Sequence, residues 1–165
     1  MTEDSLATSV YVGLGANLGD PAAALRAALV ALDTLPQTRL VVCSSLYRSA
    51  PVDSSGPDYL NAVAEISTRL PPRELLAGLQ AIELQHGRER PYRNAPRTLD
   101  LDLLLYGNKT LNTPALTLPH PRLYERAFVL LPLAEIAPHA HVPGHADLTE
   151  LLKGVAGQRV DRLMP

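Results

Sequence analysis

Two stretches of the sequence place apolar residues at the spacing of an amphipathic α-helix, and this limits the folds open to the chain. In 21–35 the leucines Leu25, Leu29 and Leu32 share one helix face, and residues 71–87 repeat the pattern. In both stretches a proline stands in the predicted first turn, where its missing N–H has no intrahelical partner to lose. Two amphipathic helices each need an apolar surface to pack against.

Strand-like stretches lie before, between and after the two predicted helices. They are rich in β-branched residues or alternate polar with apolar ones. We predict strands at 10–14, 39–49, 59–68 and 98–106. The resulting order, β-α-β-β-α-β, predicts an α+β, ferredoxin-like core with two helices against one sheet. Helical stretches near 124–138 and 147–154 predict C-terminal helical additions to that core.

The length and composition set the class of protein. The chain has 165 residues, of which 46% are hydrophobic and 19% charged, which is typical of a folded globular protein. This length predicts one domain spanning 1–165. The formal net charge of −2 argues against a protein that coats nucleic acid or an anionic membrane. Any polyanion must therefore be bound by a local cluster of basic residues.

Cysteine content and apolar runs predict the compartment. Cys43 has no second cysteine with which to form an intrachain disulfide bond. The first nine residues contain two acids and no apolar core, unlike a signal peptide. The longest uncharged apolar run, "AFVLLPLA", is too short to span a bilayer. We therefore expect a cytoplasmic protein without a membrane partner, and we expect a monomer.

The predicted last strand, "PRTLDLDLLLYG" at 96–107, contains two acids in an otherwise aliphatic run. Because side chains alternate along a strand, Asp100 and Asp102 point the same way, roughly 7 Å apart. They are candidates for a metal site, but they also fit edge-strand charges that discourage aggregation, ion-pair partners of Arg97, or acids facing open solvent. Apolar residues on both faces from Leu104 onward favour a central strand over an exposed edge.

Four arginines lie just before the two acids. The segment "HGRERPYRNAPR" contains Arg88, Arg90, Arg93 and Arg97, with two prolines and a glycine that exclude a regular helix. A solvated basic loop is one interpretation. The other is a phosphate site, since guanidinium groups bind phosphate oxygens through paired hydrogen bonds. Together with two carboxylates, such a cluster is suited to Mg²⁺ and a polyphosphate.

Three other motifs carry weaker signals. "GLGANLG" follows a strand and opens a helix, but Leu18 stands where a dinucleotide fingerprint needs glycine. A tight turn is therefore expected, with Asn17 a candidate ligand contact. His120 lies between two prolines, and both a structural and a ligand-binding role stay open. The histidines of "PHAHVPGH" match no common zinc spacing and predict a surface turn.

In order along the chain, these motifs resemble the 6-hydroxymethyl-7,8-dihydropterin pyrophosphokinase family. The resemblance covers about residues 10–152 and rests on "GLGANLGD", "YRSAPV", "PDYLNAV", "IELQHGRER", "PRTLDLDLLLYG" and "LPHPRLYERAFVLLPLAEIAP". The block "PRTLDLDLLL" is the family's signature. Members of this family have a ferredoxin-like fold and transfer pyrophosphate from ATP to the pterin hydroxymethyl group in folate biosynthesis, releasing AMP. The resemblance implies the same activity here, with two Mg²⁺ ions.

The resemblance also implies individual roles. Asp100 and Asp102 hold the metal ions, and Arg88 and Arg97 act with them in catalysis. The residues implied in ATP binding are Leu76, Arg88, Arg90, Arg97, Leu103, Thr117, His120 and Arg126. The residues implied in pterin binding are Ser49, Ala50, Pro51, Val52, Tyr59, Asn61 and Phe128. The amide of Asn61 offers donors and acceptors to the amino-pyrimidinone edge, and Phe128 can stack on the flat ring.

The sequence departs from the family pattern near the expected site, where Ser49 and Ala50 replace a Thr-Pro pair seen in some relatives and change the wall of the pterin site. Three further departures lie nearby. Ala16 replaces a serine, Asn94 lies near the position of a tryptophan, and Ala115 replaces an arginine. These changes concern nucleotide affinity and closure of the irregular segments 49–58 and 87–97, which we predict to be lids. Two other functions stay open: a non-catalytic small-molecule sensor and a kinase that transfers only the γ-phosphate.

Overall fold

A computed structural model of the chain describes residues 7–50, 57–86, 99–145 and 147–163. Its strands are β1 (Thr8–Ala16), β2 (Thr38–Cys43), β3 (Tyr47–Ser49), β4 (Tyr59–Thr68), β5 (Asp100–Tyr106), β6 (Leu111–Asn112), β7 (Thr117–Leu118) and β8 (Val160–Arg162). Its helices are α1 (Pro21–Asp33), α2 (Pro72–Gln85), α3 (Ala127–Ile136) and α4 (Leu148–Gly154), with a short 3₁₀ turn at Leu123–Glu125. Within these ranges, no helix combines the length and apolar character needed to cross a membrane.

The main sheet has the order β5-β1-β4-β3-β8, and β2 also pairs with β4. All of these pairs are antiparallel. With β2 and β3 taken as one interrupted strand, the core has the element order and strand order of a ferredoxin-like fold. The predicted α+β, ferredoxin-like core is therefore confirmed.

The predicted strand at 39–49 is divided into β2 and β3. Between them, the Ser44 hydroxyl accepts a hydrogen bond from the Val63 N–H at 3.0 Å, and the Ser44 N–H donates to the Val63 carbonyl at 2.9 Å. Ser44 thus binds both backbone groups of Val63, the N–H with its side-chain hydroxyl and the carbonyl with its own N–H. Because a side-chain bond replaces one backbone bond of the strand pairing here, β2 and β3 are separate strands.

Helices cover both faces of the sheet. On one face α1 and α2 bury leucines such as Leu25, Leu32 and Leu79 against β1, β4 and β5. On the other face α3 and α4 pack against Val63 and the second half of β5. The predicted C-terminal helices are confirmed. Together with these strand residues they form a second apolar core, which among the described residues does not extend to the start of β5.

The position of β5 differs from the prediction of a central strand, which was wrong. Among the described strands β5 pairs only with β1 and forms an edge of the sheet. Side-chain and loop groups meet its outer side: the Leu101 N–H donates to Glu83 Oε2 at 2.9 Å, and the His120 N–H donates to the Leu104 carbonyl at 2.9 Å. The strand is apolar on both faces because helices cover both faces of the sheet. Apolar faces therefore do not indicate whether a strand pairs with one strand or with two.

Candidate functional site

Asp100 and Asp102 lie on the sheet face that α3 and α4 leave partly open. Asp100 pairs with Gly15 and Asp102 with Gly13 on β1, and Gly15 pairs in turn with Asn61 on β4. Because the middle strand contributes only glycines, bare backbone separates the acids from the Asn61 amide. Two strand spacings put Asp100 and Asn61 about 10 Å apart, so the two residues border a shallow floor on which a flat ligand can lie.

Several predicted residues cannot be placed. Arg88, Arg90, Arg97, Pro51 and Val52 lie outside the described residues, so their roles stay predictions. Much of both predicted lids, 49–58 and 87–97, also lies outside them. The described residues nevertheless include the two acids, the predicted nucleotide contacts on β5 and β7, and the predicted pterin contacts on β3, β4 and α3.

His120 is held beside the acid pair in a defined protonation state. Its Nδ1 accepts a hydrogen bond from the Arg122 N–H at 3.1 Å, and its Nε2 lies 3.9 Å from Asp102 Oδ1. Burial, together with the nearby Arg126 and Arg122 charges, lowers the pKa of His120, although Asp100 opposes the shift. The ring is therefore neutral at pH 7 and carries its proton on Nε2, which gives a hydrogen-bond donor on the side of Asp102.

A cleft beside the acids collects predicted ATP-binding residues. It has a volume of about 270 Å³ and is lined by Leu76, Leu101, Asp102, Leu103, Thr113, Pro114, Ala115, Leu116, Thr117, His120 and Pro121. Its walls include Leu76, Leu103, Thr117 and His120, which the resemblance assigned to ATP. Ala115, where the resemblance implies an arginine in other members of the family, also lines the cleft.

A second depression, of about 440 Å³, opens beside the β6–β7 hairpin, where Tyr124 and His145 stack with ring centroids 4.6 Å apart. Its lining contains no Asp, Glu, Lys or Arg. Although it is larger, it offers none of these side chains to a ligand, whereas the smaller cleft contains Asp102. His139, His141 and His145 are exposed in a turn, and within the described ranges no three His, Cys, Asp or Glu side chains form a metal cluster. The predicted surface turn is confirmed.

Three of the predicted pterin residues, Ser49, Tyr59 and Asn61, meet on the other side of the floor. Asn61 is 4% exposed, and its Nδ2 donates to Ser49 Oγ at 2.8 Å. Ser49 pairs with Tyr59 across the strands. Arg126 places its Cζ 5.5 Å from the centre of the Phe128 ring, at the distance of a cation–π contact. Ala50 is exposed at the end of a described range.

A carboxylate on α3 holds the strand that carries Ser49. The Glu135 oxygens accept hydrogen bonds from the Ser45 N–H at 3.0 and 3.1 Å and from the Tyr47 hydroxyl at 2.7 Å. Burial alone raises the pKa of Glu135, but these bonds and nearby Arg162 bring it below its usual value. Burial and Glu135 together raise the pKa of Tyr47 to about 12. The cluster keeps β3, which carries the predicted pterin contact Ser49, against α3.

Sequence reasoning missed Glu83, which lies directly behind the two acids. It is 4% exposed and accepts the N–H of Leu101, the residue between Asp100 and Asp102, at 2.9 Å. A signal was available, because Glu83 stands four residues after Leu79 on the apolar face of the predicted helix. An acid on a buried helix face indicates a specific partner.

Asn17 follows β1 and is 4% exposed. Its Nδ2 donates to the Pro57 carbonyl at 3.4 Å. Its buried Oδ1 accepts no hydrogen bond in the part of the chain that the structure describes. The role of Asn17 as a ligand contact stays a prediction.

Comparisons with known proteins identify the family of this chain. A model of the family 7,8-dihydro-6-hydroxymethylpterin-pyrophosphokinase (HPPK) matches residues 11–138. The chain belongs to the HPPK family. The family resemblance inferred from the sequence motifs is thereby confirmed.

Two curated HPPK relatives match nearly the whole chain. The 2-amino-4-hydroxy-6-hydroxymethyldihydropteridine pyrophosphokinase of Pseudomonas aeruginosa is 48% identical over 155 residues, which are 93% of this chain and 96% of that protein. The enzyme of the same name from Haemophilus influenzae is 46% identical over 158 residues, covering 95% of this chain and 99% of that protein.

Solved structures support the fold. The crystal structure of wild-type Plasmodium falciparum HPPK-DHPS with SDX-DHP superposes with a TM-score of 0.72 at 12% sequence identity. The match covers 89% of this chain and 44% of the longer Plasmodium chain. At this identity the likeness establishes the ferredoxin-like fold of an HPPK and carries no residue roles.

Proposed function

We infer that this chain transfers pyrophosphate from ATP to the hydroxymethyl group of 6-hydroxymethyl-7,8-dihydropterin in folate biosynthesis, releasing AMP. Its membership in the HPPK family and the names of its relatives support this activity. The observation that supports the location of the site is the cross-strand row Asp100–Gly15–Asn61; we propose that it joins a nucleotide cleft to a pterin surface over bare backbone.

The two substrates occupy opposite sides of the acid pair. We place the nucleoside in the cleft of Leu76, Leu103 and Thr117, with the phosphates reaching Asp102 and His120. We place the pterin ring over Gly15, next to Asn61 and the Phe128 ring. The hydroxymethyl group then points toward the acids, where the phosphate chain arrives. Both regions come from one chain, which supports our proposal that the enzyme acts as a monomer. We also propose that it acts in the cytoplasm.

Asp100 and Asp102 have the donor chemistry for Mg²⁺. They are two half-buried carboxylates on one strand face, and the described residues add no third His, Cys, Asp or Glu to complete a protein-only metal cluster. Mg²⁺ takes one or two carboxylates from a protein and fills its other positions with water and substrate phosphates. Bound there, two Mg²⁺ ions supply charge neutralisation and alignment for an in-line displacement.

The side chains contribute positioning and charge. The hydroxymethyl oxygen attacks the β-phosphorus and AMP leaves, a reaction that needs aligned substrates more than covalent help from the protein. His120, neutral with its proton on Nε2, donates a hydrogen bond to a phosphate oxygen beside Asp102. Arg88 and Arg97 are predicted to stabilise the developing charge, since guanidinium groups stay protonated.

Asn61 recognises the pterin through its carbonyl oxygen. The sequence predicted that its amide offers donors and acceptors to the pterin, but Nδ2 already donates to Ser49 Oγ at 2.8 Å and to the Tyr47 carbonyl at 3.5 Å. Oδ1 therefore remains as the acceptor, and it faces Gly15, where a Cβ would approach it to 3.5 Å. An acceptor at this point suits the N–H groups of a 2-amino-pyrimidinone edge.

Replacing Asn61 with leucine is expected to raise the KM for the pterin about tenfold or more, because a substrate N–H loses its acceptor. The KM for ATP should change less than twofold, because Asn61 lies on the pterin side. Steady-state kinetics with each substrate varied in turn measures both values. Ser9→Ala, which removes an exposed bond to Glu65 at the far end of β1, is the matched control. An equal rise in both KM values contradicts the assignment.

The identity of the products tests the proposed reaction. Incubating the purified chain with ATP, Mg²⁺ and 6-hydroxymethyl-7,8-dihydropterin should yield AMP and the pterin diphosphate in equal amounts. ADP with a pterin monophosphate would instead indicate γ-phosphate transfer. Binding of the pterin without any turnover would indicate a sensor. Omitting Mg²⁺ should abolish AMP formation, and an unchanged rate in the presence of a chelator would exclude the metal assignment.

A further inference from the structure

Gln158, between α4 and β8, makes two hydrogen bonds that straddle Arg126. Its Oε1 accepts from the Ala127 N–H at 3.0 Å, and its Nε2 donates to the Glu125 carbonyl at 2.7 Å. The Glu125 carbonyl belongs to the peptide unit before Arg126 and the Ala127 N–H to the unit after it. One side-chain amide thus holds both peptide units that define the φ and ψ angles of Arg126.

The position of Arg126 explains why a remote side chain is needed. Arg126 is the N-cap of α3, with extended φ and ψ of −121° and 110°, and no side chain of its own caps the helix. The Ala127 N–H belongs to the first residue of α3, so it has no carbonyl partner within the helix. A guanidinium has no acceptor, so the Arg126 side chain supplies none for this N–H either. Gln158 supplies that acceptor from 31 residues away.

The segment that carries Gln158 is fixed at both ends. Before it, Val155 is 4% exposed in the second core, and the Gln158 N–H donates to the Val155 carbonyl at 3.0 Å. After it, Val160 pairs with Ser49 on β3, and the Leu163 N–H donates to the Leu46 carbonyl at 2.8 Å. The same segment therefore touches the strand that carries Ser49 and the helix start that carries Arg126 and Phe128. It lies beyond residues 11–138, which the family model matches.

We propose that Gln158 is a positioning residue of the enzyme, which sets the direction of the Arg126 guanidinium, and through the first turn of α3 the Phe128 ring, where the two substrates meet. This inference rests on the proposed function. Gln158 touches no substrate; it acts by fixing two peptide units. Because its side chain is exposed, its removal leaves no buried cavity, and the chain is expected to fold without it.

The test is a double-mutant cycle in the full-length chain with Gln158→Ala, Arg126→Ala and the double variant. Gln158→Ala alone should raise the KM for ATP about three- to tenfold, the range expected when a helix cap and its ordering are lost. In the Arg126→Ala background the same change should alter that KM less than twofold, because the side chain being positioned is gone. Gln158→Met, which keeps the length without the amide, should behave like Gln158→Ala.

Thermal unfolding of the same proteins separates positioning from a purely structural role. A structural bond would lower Tm equally in both backgrounds and leave KM unchanged, and that result overturns the inference. An effect of Gln158→Ala on KM that is undiminished in the Arg126→Ala background also overturns it. Arg159→Ala is the control, because the Arg159 side chain is 90% exposed and pairs with Asp161 at the surface, and it should change neither value.

The proposed function and this inference fail in distinguishable ways. If the unmodified chain forms no AMP from ATP and the pterin, the proposed function is wrong. If it forms AMP normally and the cycle shows no coupling between Gln158 and Arg126, only the positioning role is wrong.

Discussion

Replacing Asp102 with alanine is expected to lower kcat about a thousandfold while the chain stays folded. Holding a metal against a transferring phosphate contributes several kcal/mol of transition-state stabilisation, and every 1.4 kcal/mol is a factor of ten in rate. The side chain is 37% exposed and lies 3.9 Å from His120, so its loss leaves no buried void. Asp100→Ala should behave similarly, since both carboxylates share one strand face.

The measurement is AMP release at saturating substrates, with circular dichroism and Tm as the test of folding. Asp161→Ala on β8 is the matched control, since it removes a carboxylate from an exposed strand of the same sheet. Because β5 is an edge strand, charges that merely discourage aggregation remain a competing explanation. That explanation predicts poorer solubility of Asp102→Ala but full activity per folded molecule. Near-normal turnover would therefore refute the metal assignment and support the edge-charge alternative.

Local periodicity was sufficient to predict the core of this fold. The helical spacing of Leu25, Leu29 and Leu32 and the alternation in 59–68 reflect burial against one surface, which is a property of neighbouring residues. The order of elements then restricted the topology. The same pattern misplaced β5. An apolar run shows that both faces of a strand are covered, but it does not show whether a second strand pairs with it in the sheet.

Long-range side-chain bonds were beyond the reach of the pattern. Ser44 interrupts a strand by bonding Val63, 19 residues away, and Gln158 caps α3 from 31 residues away. Glu135 holds Tyr47 across 88 residues. None of these polar residues differs in sequence from a solvent-exposed one, since only the finished fold brings their distant partners within hydrogen-bond distance. Asp100 and Asp102 were metal candidates from strand alternation alone, whereas the residues of the predicted nucleotide cleft were named only through the family resemblance.

Glu83 provides the second large expected effect, because it supports the strand that carries the acids. Replacing it with alanine removes a buried acceptor and leaves the Leu101 N–H without its carboxylate partner. Leaving a buried donor unsatisfied costs about 1–3 kcal/mol, and the cavity adds to this. For a chain of this size each kcal/mol lowers Tm by about 2–4 °C, so we expect a fall of about 10 °C.

The functional consequence distinguishes Glu83 from an ordinary core residue. Leu101 lies between Asp100 and Asp102, so freeing its N–H loosens the backbone that sets the spacing of the two carboxylates. The Mg²⁺ concentration for half-maximal AMP release should therefore rise several-fold in Glu83→Ala, a size typical of losing an outer support of a metal site. Glu83→Gln keeps an acceptor oxygen and should recover most of the stability and of the Mg²⁺ response.

Glu74→Ala, an exposed acid in the first turn of the same helix, controls for loss of negative charge from α2. If Glu83→Ala lowers Tm but leaves the Mg²⁺ response unchanged, the spacing of the acids does not depend on this hydrogen bond, and β5 is held by its pairing with β1 alone. If both quantities change and Glu83→Gln restores both, a buried helix carboxylate takes the place of a neighbouring strand at the edge of the sheet. The edge position of β5 is then compatible with a fixed acid pair, because the strand's free side is held by α2.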